Sequence, residues 1–233
     1  MKKIAIIPAR GGSKRIPRKN IKEFLRKPII AYSIEAALSS NLFDEVMVST
    51  DDAEIAKVAK KFGANIPFMR SKKNSDDFAT TADVLIEVLN EYKKIGKEFD
   101  YLCCIYPTAP FITAKKIIDS FNLMVENNAQ SVIPVVKFSY PIQRSFRINK
   151  NGKLEYIYPE NINKRSQDLA PAYHDAGQFY WCEVKSFLKT KSLVIPHKTT
   201  PIIVSELDVQ DIDCENDWQV AEIKYKLLKM ERV

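Results

Sequence analysis

Short runs of apolar, β-branched residues alternate with stretches of helical period along most of this 233-residue chain, and that alternation limits the fold more than any other feature. A strand followed by a helix and then by another strand of the same sheet selects a largely parallel sheet with helices on both faces. KIAIIPA (3–9) opens the series as an unbroken apolar run of the kind buried on both faces, so it reads as an interior strand. Strands are expected at 45–50, 65–69, 101–107, 131–136, 177–184 and 198–205, and helices at 28–40, 52–63, 81–94, 113–128 and about 215–229. Between about 138 and 176 the rhythm stops. Alternating residues flank Asn151-Gly152 there without a helical period, which predicts a hairpin and loop insertion within one domain spanning 1–233.

No apolar run approaches the ~18 to 20 residues of a membrane span, and the N-terminal stretch turns basic too early for a secretory signal, so a cytoplasmic chain without a membrane partner is expected. The four cysteines (103, 104, 182, 214) form no CxxC pair, and His174 and His197 are the only histidines, which argues against structural zinc and against a Ser-His-Asp site. The net charge of +7 is local. Residues 1–30 hold ten Lys or Arg against Glu23 alone, and the rest of the chain nets −2, while Ser205 to Asp217 carries six acids and no base. A cationic loop and an anionic loop on one chain suit a polyanionic ligand held with a divalent metal better than a groove for duplex DNA.

The cationic loop, Ala9-Arg10-Gly11-Gly12-Ser13-Lys14 continuing to Lys19-Asn20, directly follows the first strand. Ligands of open α/β sheets bind beyond the carboxyl ends of strands, where a Gly-Gly-Ser turn can aim backbone N–H groups at a phosphate. Arg10, Lys14 and Lys19 would add charge; the alternative is a solvated basic loop. In the anionic loop, Asp211 and Asp213 are two apart, so in extended backbone both carboxylates face one side and suit Mg²⁺; the alternative is that they cap the last helix. Arg70 stands at a strand end and would meet either a ligand or a surface acid. Thr50 or Asp51 reads as an N-cap, and Asp76, Asp77, Thr80 and Thr81 precede a helix as caps do. YHDAGQF (173–179) brings His174, Asp175 and Gln178 to one rim, unless Asp175 and Gln178 only satisfy the Ala176-Gly177 turn.

PARGGSKRIPRKN (8–20), STDDAEIAKVAKKFGA (49–64), YPTAPF (106–111) and DVQDIDCENDW (208–218) together resemble the cytidylyltransferases that activate acidic eight- and nine-carbon sugars as CMP-sugars. The resemblance runs nearly end to end. It implies a nucleotide-diphospho-sugar-transferase-like α/β fold, a Mg²⁺ requirement, and dimerisation through an inserted arm. It further implies that Arg10, Ser13, Lys14, Lys19 and Asn20 bind CTP, with Arg70 in the nucleotide pocket and Asp211 with Asp213 on the metal. Sialate-activating members have Gln at the place of Tyr106 and N-G-A-I-Y where this chain has Ala176 to Tyr180. YPTAPF and YHDAGQFYW are similar to the pseudaminic acid branch instead. The expected sugar-side residues are Tyr106, Gln167, Tyr173, His174, Asp175 and Gln178.

The reaction so implied is attack of the sugar's anomeric hydroxyl on the α-phosphate of CTP with loss of pyrophosphate, which asks for positioning and charge neutralisation. Arg10, Lys19, Asp211 and Asp213 are the expected catalytic set, and no general base is identifiable. Two other readings stand beside it: activation of N-acetylneuraminic, legionaminic or another nonulosonic acid, and a nucleic-acid-binding module on residues 10–22. The second is disfavoured, since no aromatics are interleaved with those cations. Phe138, Tyr140, Ile142, Phe146, Tyr156, Ile157 and Tyr158 exceed what a solvated loop should carry, so the insertion is expected to cover a second subunit in a homodimer.

Overall fold

In the computed structural model, which describes residues 1–230, the opening apolar run is strand β1 (Lys3–Pro8), paired on both sides as its composition demands. A basic loop with two-residue strands β2 (Glu23–Phe24) and β3 (Lys27–Pro28) leads to α1 (Ile29–Ser39), β4 (Glu45–Ser49) and α2 (Ala53–Lys61). Next come α3 (Thr81–Lys94), β5 (Tyr101–Ile105), α4 (Ala114–Glu126) and β6 (Ser131–Lys137). The insertion holds the hairpin β7 (Phe146–Ile148) and β8 (Leu154–Tyr156) and returns through β9 (Tyr173–Asp175). Strand β10 (Phe179–Glu183), α5 (Val184–Thr190), β11 (Thr199–Ile203) and α6 (Glu215–Met230) follow.

The sheet order is β11-β6-β10-β5-β1-β4, with β9 also pairing β6. Strands β1, β4, β5, β6 and β11 share one direction; β10 and β9 oppose it. The α/β expectation therefore holds, with a mixed sheet. β10 is reversed because the chain enters it from the insertion, with no crossover helix to carry it back to the other end. One local expectation fails, and one element lies outside the expected set. Residues 65–69 form only a bridge from Asn65 to Met47, since Pro67 cannot donate to a ladder, and a short helix, α5, follows β10 where the sequence pattern gives none.

Alternation along the strands builds both faces. Ala5, Ile7, Val48, Cys103 and Trp181 face α1, α2 and α4, where Ile34, Ile55 and Phe121 meet them. Ile4, Ile6, Leu102, Cys104 and Cys182 face α3 and α5, against Leu85, Val88 and Phe187. A third cluster lies at one end, where Ile16 of the basic loop packs with Phe24, Tyr32, Phe111, Ile212 and Trp218. It clamps the chain's two charged loops together. Among the described residues, no helix is long and apolar enough to cross a membrane.

Candidate active site

Because five strands share a direction, their carboxyl ends bring residues 9–20, 50–52, 106–111 and 204–213 to one edge, and the reversed β10 starts there too, which adds 176–178. The third apolar cluster anchors the segment that carries the carboxylate pair. Ile212 is 1% exposed within that cluster, while Asp211 on one side of it is exposed and Asp213 on the other is half-buried. Lys19 Nζ donates to the Ile212 carbonyl at 2.6 Å and lies 3.9 Å from Asp213. Burial pushes the Lys19 ammonium down, against the pull of Asp213 and Asp211. Burial and then Asp213 push the Asp211 carboxyl up, with Lys19 opposing. Asp217 Oδ2 accepts from the N–H groups of Asp213 and Cys214, so it fastens the start of α6 and leaves that pair unoccupied by capping.

The rest of the basic loop is ion-paired. Arg10 donates to Asp77 at 2.8 Å and to the Asp76 carbonyl at 3.0 Å, and Lys14 also meets Asp77. Arg15 meets Asp213 at 2.8 Å, Arg18 grips Asp52 through two bonds, and Lys22 meets Glu215. Each of these five cations therefore has a carboxylate partner within the fold, although Lys14 and Arg15 stay exposed. Asn20 is buried and donates to the Arg10 carbonyl at 2.9 Å, holding the loop's curvature.

Gly11 departs from expectation. Its N–H donates to Asp51 at 2.9 Å and Ser13 N–H goes to the Gly11 carbonyl, so neither is aimed at a phosphate. A Cβ at Gly11 would stand 2.8 Å from Asp52 Oδ2, which is why glycine is required there. Ala9 is buried, its N–H tied to the Ser49 carbonyl at 2.9 Å. The N-cap of α2 is Asp52, with neither Thr50 nor Asp51 in that role, and α3 is capped by Thr80 in a box with Asp83. Asp76 takes the N–H groups of Phe78 and Ala79 in a turn. Arg70 is 8% exposed and donates through Nε to Ser49 Oγ at 3.0 Å; burial pushes its guanidinium down while Asp51 and Glu87 push back. It is thus a buried cation at the end of β4, and no surface pair.

A cavity of about 470 Å³ opens beside Asp211, lined among others by Tyr106, His174, Asp175, Tyr180 and Lys224. Tyr180 Oη donates to both Asp175 oxygens at 3.0 Å, and Gly177 N–H donates to Asp175 at 2.8 Å. Burial, then Tyr106 and Asp175, push the Tyr180 phenol far up, so it stays a donor. Gln178, Gln167 and Tyr173 lie elsewhere. The Gln178 side chain is 2% exposed and gives its amide N–H to the Asp208 carbonyl at 2.6 Å, under the rim. Gln167 lines a separate cavity with Phe138 and Pro141 of the insertion, and Tyr173 is an exposed strand residue opposite Lys137. A larger hollow of about 870 Å³ runs along α3 past Lys73, Phe78 and Glu87, and none of Arg10, Lys19, Asp211 or Asp213 lines it.

Sequence reasoning missed Tyr180 and Lys224. The first sits inside a strand that reads as core, and the second follows the buried Ala221 by three on α6, where a lysine reads as solvated.

A family model described as cytidylyltransferase matches residues 4–203. Pseudaminic acid cytidylyltransferases from two serotypes of Campylobacter jejuni subsp. jejuni, O:2 and O:23/36, are each 44% identical over 97% of this chain and 97% of their own. A CMP-N,N'-diacetyllegionaminic acid synthase of Legionella pneumophila subsp. pneumophila is 32% identical over 95% of both. Among solved structures, a CMP:2-keto-3-deoxy-manno-octonic acid synthetase complexed with CTP superposes with TM-score 0.71 at 18% identity, covering 99% of this chain and 100% of that one.

Proposed function

The chain belongs to the cytidylyltransferase family, and from that premise we propose that it transfers CMP from CTP to the anomeric hydroxyl of pseudaminic acid and releases pyrophosphate. The observation that carries the site is the junction of Lys19 with the 211–213 segment, which joins the basic loop to a carboxylate pair beside a cavity of sugar size. In this reading Arg10, Ser13, Lys14, Lys19, Asn20 and Arg70 meet the nucleotide, and Tyr106, His174 and Asp175 meet the sugar. Gln178 positions the Asp208 carbonyl and acts from beneath. The choice of sugar is supported by likeness along nearly the whole chain to enzymes named for pseudaminic acid.

Mg²⁺ belongs to the same proposal. Among the described residues no group of three or more His, Cys, Asp or Glu is set to hold a metal ion, and the proposal rests on the two carboxylates of Asp211 and Asp213. Two hard oxygen donors fit an ion that takes the rest of its shell from water and phosphates. When bound, Mg²⁺ would neutralise triphosphate charge. Lys19 and Arg10 add fixed positive charge along the same triphosphate, and Ile212 anchors the segment that carries the two carboxylates.

We also propose a homodimer and a cytoplasmic setting. Tyr140, Ile148 and Leu154 of the insertion are 85%, 74% and 68% exposed, which is apolar surface in need of a partner. All four cysteines are free thiols, as in a reducing compartment. Light scattering at micromolar concentration should give twice the chain mass; a fully active monomer removes the arm from the argument. The reaction is tested with CTP, Mg²⁺ and a panel of nonulosonic acids: pseudaminic acid should turn over fastest, and faster transfer to N-acetylneuraminic acid defeats the choice of sugar.

A further inference from the structure

We infer that Lys224, on α6, selects for an acidic sugar by binding its carboxylate. This rests on the reading above that the cavity beside Asp211 takes the sugar. Among the described residues that line this cavity, Lys224 is the one lysine or arginine, while Asp175, Glu206 and Asp211 are three acids. An anionic substrate entering such a wall needs a cation. Asp175, which accepts from Tyr180 and Gly177, and Glu206, which accepts from Ser139 Oγ at 2.6 Å, are acids and repel a carboxylate, and His174 Nδ1 is 2.9 Å from the Asp175 carbonyl.

The ammonium of Lys224 donates to two main-chain carbonyls, Val209 at 2.8 Å and Glu206 at 3.1 Å. Those bonds fix its position without neutralising it, and a lysine has a third N–H to give. No carboxylate among the described residues lies in ion-pair range of it, whereas Lys22, Lys27, Lys97 and Lys115 each have one. The held cation is thus poised for an anion that the described residues do not provide.

Its place along the chain suits the chemistry. In a 2-keto sugar acid the carboxyl carbon is bonded directly to the anomeric carbon, whose hydroxyl is the attacking group. The carboxylate must therefore sit next to the reacting oxygen. Lys224 anchors residues 206 and 209, and Asp211 follows two residues later on the same cavity wall. A carboxylate taken by Lys224 would turn the anomeric hydroxyl toward the carboxylate pair.

The test measures KM for CTP and for the sugar acid separately. Lys224→Met should raise KM for the acid by about 30-fold, the loss of one charge-assisted hydrogen bond, with KM for CTP unchanged. Lys224→Arg should recover most of the loss. An unchanged KM for the acid in Lys224→Met overturns the assignment. So does an equal rise in both KM values, which would make Lys224 a brace for Asp211 only. Pseudaminic, legionaminic and N-acetylneuraminic acids carry the same carboxylate, so the test applies to whichever the wild type uses. A wild type that uses another of these in place of pseudaminic acid corrects the sugar and leaves Lys224 in place; one that uses none sinks both.

Discussion

Replacing Asp52 with Asn probes the joint between the basic loop and the sheet. Asp52 Oδ1 accepts from the N–H groups of Glu54 and Ile55 at 2.9 Å each, and the two carboxylate oxygens take Arg18 at 2.5 and 2.9 Å. Arg18 first, then the helix N–H groups, hold this carboxyl at about 2, from an ordinary 3.8, against the opposing effect of burial. At about 1.36 kcal/mol per pH unit the gap corresponds to about 2 kcal/mol of folding free energy. Arg18 is 38% exposed, and solvent screening reduces this to about 1 to 2 kcal/mol. The folded value lies below the unfolded one, so the contribution is complete above about pH 5 and disappears as pH falls through 2. Asparagine keeps the cap and drops the charge. The midpoint of thermal unfolding should fall by about 2 to 8 °C at pH 7, and the difference from wild type should shrink to about half by pH 3. An equal difference at the two pH values, or none at pH 7, would refute a charged joint.

Asp211→Asn and Asp213→Asn should each abolish turnover with an unchanged unfolding curve; normal pyrophosphate release by the double variant would remove the metal pair from the mechanism. Arg10→Ala and Lys19→Ala should weaken CTP binding in calorimetry without loss of helix by circular dichroism, and wild-type titrations for both would return the loop to a solvated surface. Because Asp77 shares Arg10 and Lys14, Asp77→Asn should tighten CTP binding by freeing those cations, and weaker binding would show that the carboxylate instead orients them.

Elements whose pattern comes from burial were legible in the sequence. β1, β4, β5 and β6 are apolar runs because both their faces are covered, and α2, α3 and α4 carry one apolar stripe each. The direction of β10 was not legible, since FYWCE is equally buried whichever way it runs. Pro67 ended a strand that the apolar count favoured. At the site, charge spacing exposed the basic loop and Asp211 with Asp213, because clustered like charges need a partner to be tolerated. Partnering itself was invisible: nothing in the spacing says that Asp51 takes the Gly11 amide, that Gln178 turns under the rim, or that Lys224 reaches the cavity from α6.

The clamp between the two charged loops sets an order of events during synthesis. Asp52 and Asp77 leave the ribosome soon after Arg18, Arg10 and Lys14, but Arg15 meets a partner 198 residues later and Lys22 one 193 residues later. At ~5 to 20 residues per second, those cations wait about 10 to 40 seconds beside ribosomal RNA before their acids emerge. Nascent chains held before residue 206 has emerged should therefore be retained by heparin at salt that releases the finished chain, and equal retention of the two would break this ordering. The closing of the clamp is late, and until then the growing chain is a polycation in search of any phosphate.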